Sequence, residues 1–241
     1  MYQQYSPPKF NILPPVCKNL LIINVIAFLA TYVFKMRGID LSDIFGLHFF
    51  ASDNHYFWQY ITYAFFHANF SHLFFNMFAI WMFGYTLENV WGQKRFLIFC
   101  LVACLGAAVA QQGVYYFMYS DLLHGVYSGV NIGGGITIST AEFLNNLNTV
   151  GASGIVFGLL AAFGMMYPNS TIYFYFLIPI KTKWFVIIYI LLELFNGITT
   201  TSDGVAHFAH LGGALAGIIL LFIWPKQRVV YRFQMSEIKF K

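Results

Sequence analysis

Long apolar runs alternating with short connections that carry lysine and arginine leave this chain few ways to fold. Six runs stand out, at about 19–36, 69–87, 94–117, 150–167, 183–199 and 205–225. A helix needs ~20 apolar residues to cross the ~30 Å hydrocarbon core of a bilayer, and several runs are shorter, which predicts tilted helices or helices buried behind neighbours. Charge is scarce: 9% of residues are charged and 59% are apolar, against roughly 25% charged in soluble domains. A soluble domain could not cover its surface with so little. The expectation is an all-α, polytopic membrane protein built as one bundle of six transmembrane helices.

The cations set the expected orientation. With the N-terminus inside, eleven of the thirteen lysines and arginines fall in inner segments: Lys9, Lys18, Lys94, Arg95, Lys181, Lys183, Lys226, Arg228, Arg232, Lys239 and Lys241. Only Lys35 and Arg37 fall outside. Basic connections stay cytoplasmic, so both termini are expected there. The division is a cytoplasmic tail at 1–18, a membrane domain at 19–225 and a basic cytoplasmic tail at 226–241. The net charge of +4 forms no basic groove, so the lipid bilayer and not nucleic acid is the expected environment.

The first apolar run has no small-residue cleavage site behind it and is expected to be a retained span. Short tails without a transit-peptide pattern lead to the expectation of a bacterial cytoplasmic (inner) membrane. Cys17, Cys100 and Cys104 are an odd count in apolar surroundings and are expected to pack rather than bind metal. Residues 171–180 are apolar but bracketed by Pro168 and Pro179, which predicts an interfacial stretch and not a span. The aromatic connection 37–68 is expected to lie in the outer interface, and 118–149, with Gly133-Gly134-Gly135, to be irregular.

A few polar residues interrupt the runs. Ser153 lies in Gly151-Ala152-Ser153-Gly154, His210 in Ala209-His210-Leu211-Gly212-Gly213, and His72 and Asn76 in the second run. Runs two, four and six would all point inward, which sets these four residues at a similar depth below the outer surface. His72 and Asn76 share a helix face, as do Ser153 and Phe157, and His207 and His210. Gly154 and Gly158, with Gly213 and Gly217, permit close helix approach. Polar groups are costly in lipid and mark function, and a hydroxyl beside an imidazole is an activated nucleophile. Peptide-bond chemistry inside the bilayer is the leading expectation.

At these residues the chain resembles the rhomboid family of intramembrane serine proteases. His67, His72 and Asn76 match its H-x4-H-x3-N pattern, Gly151-Ala152-Ser153-Gly154 its serine segment, and Ala209-His210-Leu211-Gly212-Gly213 its histidine segment. Gly84, Glu88 and Gly92 resemble its G-x3-E-x3-G segment, and Trp58 an aromatic of its first outer loop. The resemblance implies a serine endopeptidase that cleaves transmembrane segments of other membrane proteins with a Ser–His dyad and no acidic third member. Ser153 would be the nucleophile and His210 the base. The Ser153 N–H, His72 and Asn76 would hold the oxyanion, with His67, Gly151, Gly154 and Phe157 in support. No metal or organic cofactor is required. Phe157 stands where a tyrosine often packs on the histidine. Gln59 follows Trp58 in place of a frequent arginine, which puts a polar loop anchor in question.

Other readings remain open on the sequence. Ser153 could be a small residue at a helix crossing, and His72 and Asn76 could only bridge helices. Glu88 reads as a cap for backbone amides, and Glu193 as a hydrogen-bonded or water-facing carboxylate rather than a proton relay. His67, His72, His207 and His210 could hold haem or a metal, although His67 and His72, five apart, would diverge on a helix. No H-E-x-x-H zinc motif is present, and no inverted repeat points to a transporter. A catalytically inactive rhomboid-like binding protein is the nearest alternative. Oligomeric state is not legible.

Overall fold

A computed structural model describes residues 10–174, 177–199 and 206–224. In chain order its first half holds helix α1 (Pro15–Lys35), α2 (Leu41–Phe45), strand β1 (Leu47–His48), α3 (Gln59–Thr62), a 3-10 turn (Tyr63–Phe65), α4 (Phe70–Trp91) and α5 (Gln93–Met118). Next come α6 (Ser120–Leu123), β2 (Gly129–Asn131), β3 (Thr137–Ser139), α7 (Thr140–Asn145), β4 (Asn148–Thr149) and α8 (Ser153–Met166). The chain continues through β5 (Thr171–Phe174) and β6 (Ile178–Lys181) into α9 (Thr182–Thr199) and α10 (His207–Ile223). Each expected apolar run therefore becomes one long helix. The cations Lys9, Lys226, Arg228, Arg232, Lys239 and Lys241, and the tail 226–241, lie outside the described residues.

Among the described residues the fold is mostly helical, with three antiparallel two-stranded pairs that an all-α reading did not include: β1 with β4, β2 with β3, and β5 with β6. Strands of two to four residues are too short to show a period-two pattern. The Gly133-Gly134-Gly135 run, all at positive φ, turns the chain between β2 and β3. Residues 171–174 and 178–180 pair across the β5–β6 strands, and none of the described residues in 171–180 is helical.

By length and composition, α1, α5 and α9 can cross a membrane, while α8 and α10 are shorter apolar helices. Helix α1 exposes Ile22, Ile26 and Leu29, and α9 exposes Ile188, Leu191 and Phe195, a surface suited to hydrocarbon rather than water. Helix α8 is the inverse. Ten of its 14 residues are buried, which puts it at the centre of the bundle.

Small residues let α5, α8 and α10 meet backbone to backbone. A Cβ on Gly213 would strike the Gly154 carbonyl, and one on Gly154 would strike the Ala107 side chain. Gly212 similarly faces Ala110 and the carbonyl of Gly106. This close approach lets neighbours on α8 and α10 touch through short side chains. At the far end of α4, Glu88 Oε1 accepts from the Val16 N–H (2.9 Å) and Oε2 from the Cys17 N–H (2.7 Å). Pro14 and Pro15 carry no N–H, so the buried carboxylate satisfies both of the donors left open at the start of α1, the capping role read from its position.

Candidate active site

Ser153 is the first residue of α8 and follows Gly151, whose φ of +133° is a conformation that side chains resist. That turn is held from outside the helix, where the Gly151 N–H donates to the Tyr63 carbonyl at 3.0 Å. The result presents Ser153 Oγ, half-buried, to His210 of α10, with Oγ 2.7 Å from Nε2. The two residues are 57 apart in sequence, and the glycine contact between Gly154 and Gly213 brings them within reach. Phe157, one turn below Ser153, stacks on the His210 ring at a centroid distance of 4.5 Å and an interplanar angle of 5°. Tyr189 of α9 stacks in turn on Phe157 at 5.0 Å.

Because Ser153 opens α8, its N–H and the next few have no intrahelical acceptor and lie at the positive end of the helix dipole. The His72 ring lies over the same turn. A Cβ on Gly151 would come within 2.7 Å of His72 Nε2 and 3.6 Å of Ser153 Oγ. Asn76 is buried, and its Nδ2 donates to the His72 carbonyl at 2.9 Å, which uses one of its two amide hydrogens. His67 makes a long 3.5 Å contact from Nε2 to the Ala152 N–H. Its ring meets His72 edge-on at 4.9 Å. The expected divergence of His67 and His72 fails because α4 begins only at Phe70, so His67 is in the preceding loop and the helical angle does not apply.

A third group completes the cluster. Glu193 Oε2 lies 2.8 Å from His210 Nδ1 and 2.7 Å from His207 Nδ1. All three residues are buried. Among the described residues, Glu193, His207 and His210 are also the one group of three whose ligating atoms, within 4.8 Å of each other, could hold a metal ion. The short distances are those of charge-assisted hydrogen bonds.

A family model for the rhomboid domain matches residues 54–227, well over half of the chain. The chain belongs to the rhomboid family. It is 28% identical over 215 residues to rhomboid-like protein 11, chloroplastic, of Arabidopsis thaliana, an alignment covering 86% of this chain and 64% of that protein. It is 27% identical over 173 residues to the putative rhomboid protease YdcA of Bacillus subtilis (71% and 69% covered) and 28% over 178 residues to the rhomboid protease AarA of Providencia stuartii (68% and 54%). The chain thus spans between about half and just over two thirds of the length of these relatives. The family makes this an integral membrane protein. Relatives named chloroplastic and mitochondrial stand beside bacterial ones, so the expected bacterial inner membrane gains no support from them.

Two details of this rhomboid depart from expectation. The family resemblance implied no acidic third member, yet a carboxylate occupies the far side of His210. The sequence signal was available: Glu193 is the lone acid in its apolar run. What hid its role was that helix-to-helix register between α9 and α10 is not written in either run. Gln59, whose presence had put a loop anchor in question, is itself that anchor. It is fully buried, its Oε1 accepts from the Tyr56 N–H (3.1 Å) and the His48 N–H (3.3 Å), and its Nε2 donates to the Asn54 (2.9 Å) and Ile44 (3.2 Å) carbonyls. Gln112 of α5 adds a tie from below, donating to the His48 carbonyl at 2.7 Å and accepting from the Phe50 N–H at 2.9 Å. A neutral amide does here what a charged anchor was expected to do.

Proposed function

We propose that this chain is an intramembrane serine endopeptidase that cleaves transmembrane segments of other membrane proteins. The observation that carries the reading is the 2.7 Å contact between Ser153 Oγ and His210 Nε2 at the start of the most buried helix of the bundle. In the proposed reaction His210 Nε2 takes the Ser153 proton as Oγ attacks the scissile carbonyl. It then gives that proton to the leaving amine, and water resolves the acyl-enzyme by the same path. The oxyanion is held by N–H groups at the start of α8 with His72 and Asn76, each donor being worth about 3–4 kcal/mol in such a role.

Depth supports the membrane setting. At ~1.5 Å per residue a helix spans the ~30 Å hydrocarbon core in ~20 residues, whereas α8 has 14. With its far end at the inner interface, Ser153 lies roughly 10 Å below the outer one. In this arrangement six helices cross the bilayer with both termini cytoplasmic, and a water-filled pocket opens outward. A substrate helix enters from the side and unwinds locally, because a helical peptide bond is screened by its own hydrogen bonds. Substrates with glycine or proline near the cut unwind at least cost.

Ser153→Ala and His210→Ala are each expected to abolish cleavage of a model transmembrane substrate without loss of folding, and Ser153→Ala to abolish labelling by a fluorophosphonate. Wild-type protein that neither cleaves nor labels, yet is folded and reconstituted in lipid, would make this an inactive rhomboid-like binding protein instead.

A further inference from the structure

We propose that Glu193 is a positioning residue for His210, holding its imidazole in the tautomer that can accept the Ser153 proton, and that His207 fixes the carboxylate that does so. This deepens the serine-protease reading and rests on it.

A neutral imidazole carries a single N–H. With that hydrogen on Nδ1, His210 donates to Glu193 Oε2 at 2.8 Å, and the lone pair of Nε2 faces Ser153 Oγ at 2.7 Å. The other tautomer would aim an Nε2–H at the serine and set the Nδ1 lone pair against the carboxylate. That is repulsive, and it leaves no base. Stacking on Phe157 fixes the plane of the ring from α8, while Glu193 fixes its rotation within that plane from α9. Helices α8 and α9 therefore each contribute one constraint on a ring carried by α10.

Glu193 needs a second partner, since a buried carboxylate with one hydrogen bond is costly and free to swing. His207 supplies it. Three residues before His210 on α10, it directs Nδ1 at the same Oε2 from 2.7 Å. When Oγ bonds to the scissile carbon, its proton passes to His210 Nε2, and the resulting imidazolium faces the carboxylate. Glu193 takes no proton in this step. It stabilises the imidazolium and preserves the geometry.

The test uses full-length protein reconstituted with a cleavable transmembrane substrate, comparing wild type, Ser153→Ala, Glu193→Gln and Glu193→Leu. Glutamine loses the charge, and its NH2 can turn to donate to His210 Nδ1, which favours the tautomer with no base at Nε2, so kcat is expected to fall by about a hundredfold or more at unchanged KM. Leucine removes the acceptor, and kcat is expected to fall by about a hundredfold or more. Nitrogen NMR of isotope-labelled histidine in the wild type is expected to show His210 protonated at Nδ1 and not at Nε2. That measurement stands even if the leucine variant fails to fold. Wild-type kcat in Glu193→Gln and Glu193→Leu, or a wild-type His210 protonated at Nε2, would overturn the proposal. A wild type that cleaves and labels no better than Ser153→Ala would instead sink the protease reading, and the NMR result would still report on the tautomer.

Discussion

Replacing Gly213 by alanine tests whether helix packing sets the distance between Ser153 and His210, the proposed nucleophile and base. A Cβ at that position meets the Gly154 carbonyl oxygen, with the carbonyl carbon at 2.8 Å and the Cα at 3.0 Å. Carbon contacts are comfortable at roughly 3.5–4.0 Å, so α10 must retreat from α8 by roughly 0.5–1 Å. No rotamer change can relieve the collision, because the obstacle is backbone. His210 is one turn before Gly213, and Ser153 is bonded to Gly154, so the retreat falls directly on their 2.7 Å contact. Stretched to roughly 3.5 Å or beyond, that contact is no longer a useful hydrogen bond. Overpacking of this kind costs ~1–3 kcal/mol of stability, whereas a misplacement near 1 Å costs about a hundredfold in rate. The expected variant is folded and nearly inactive. Gly113→Ala is the control, since nothing lies within 4 Å of its would-be Cβ inside α5. It should leave turnover unchanged and add roughly 0.5–1 kcal/mol of stability. Cleavage of a reconstituted substrate and thermal unfolding in detergent read both quantities. Turnover in Gly213→Ala within a factor of two of wild type would refute the idea that the glycine contact sets the catalytic distance.

Four further outcomes follow from named contacts. Asn76→Ala is expected to lower kcat by about a hundredfold at unchanged KM if it donates to the oxyanion; a change confined to KM would place it in substrate binding. Glu88→Ala strips two N–H donors of their acceptor and should cost about 1–3 kcal/mol of stability per unpaired group while sparing kcat. Gln59→Leu should release the outer loop, with faster proteolysis between residues 47 and 59 as the readout; unchanged protection would show that other contacts suffice. The fourth concerns acid. Burial, with His72 adding to it, pushes the His67 imidazole, in the loop before α4, down to about 3. The folded state keeps this ring neutral where the unfolded chain would protonate it, so its contribution is complete above pH ~6.5 and is lost as pH falls toward 3. By pH 5 the loss is about 2 kcal/mol. Thermal unfolding measured from pH 7 to pH 5 should show it, and His67→Gln should flatten it.

The six long helices were legible because each is an apolar run set off by polar, charged, glycine or proline residues, and a run of that kind has one stable form in lipid. Ser153 and His210 were legible because polar groups in such runs need a reason. The loop architecture was not. Strands as short as β1 and β4 leave no periodic trace, and the anchoring by Gln59 and Gln112 depends on which backbone groups the folded loop exposes. The helical angle weighed for His67 and His72 does not apply, since α4 starts at Phe70, where the Asn69 side chain accepts from the His72 N–H at 2.8 Å, and the run at 69–87 had already left His67 outside it.

Glu193 shows where such reading stops and why. Its depth in the fifth run could be counted along the chain, and so could that of His207 and His210. Rotation about each helix axis could not, and a carboxylate on α9 meets both imidazoles only if α9 turns that one face toward α10. The face is selected by packing. Gly197 on α9 lies against the Phe208 ring and the His207 Cβ, with a would-be Cβ at 3.0 and 3.2 Å. That small residue is one turn beyond Glu193 and allows α9 to close on the start of α10. The glycine and the glutamate then act as one device, the first admitting the approach and the second using it. If so, Gly197→Val should weaken cleavage through the same step as Glu193→Gln, lowering kcat at constant KM, and the two substitutions combined should cost less than the sum of their separate effects. Full additivity would mean that α9 is held in place by something other than this contact.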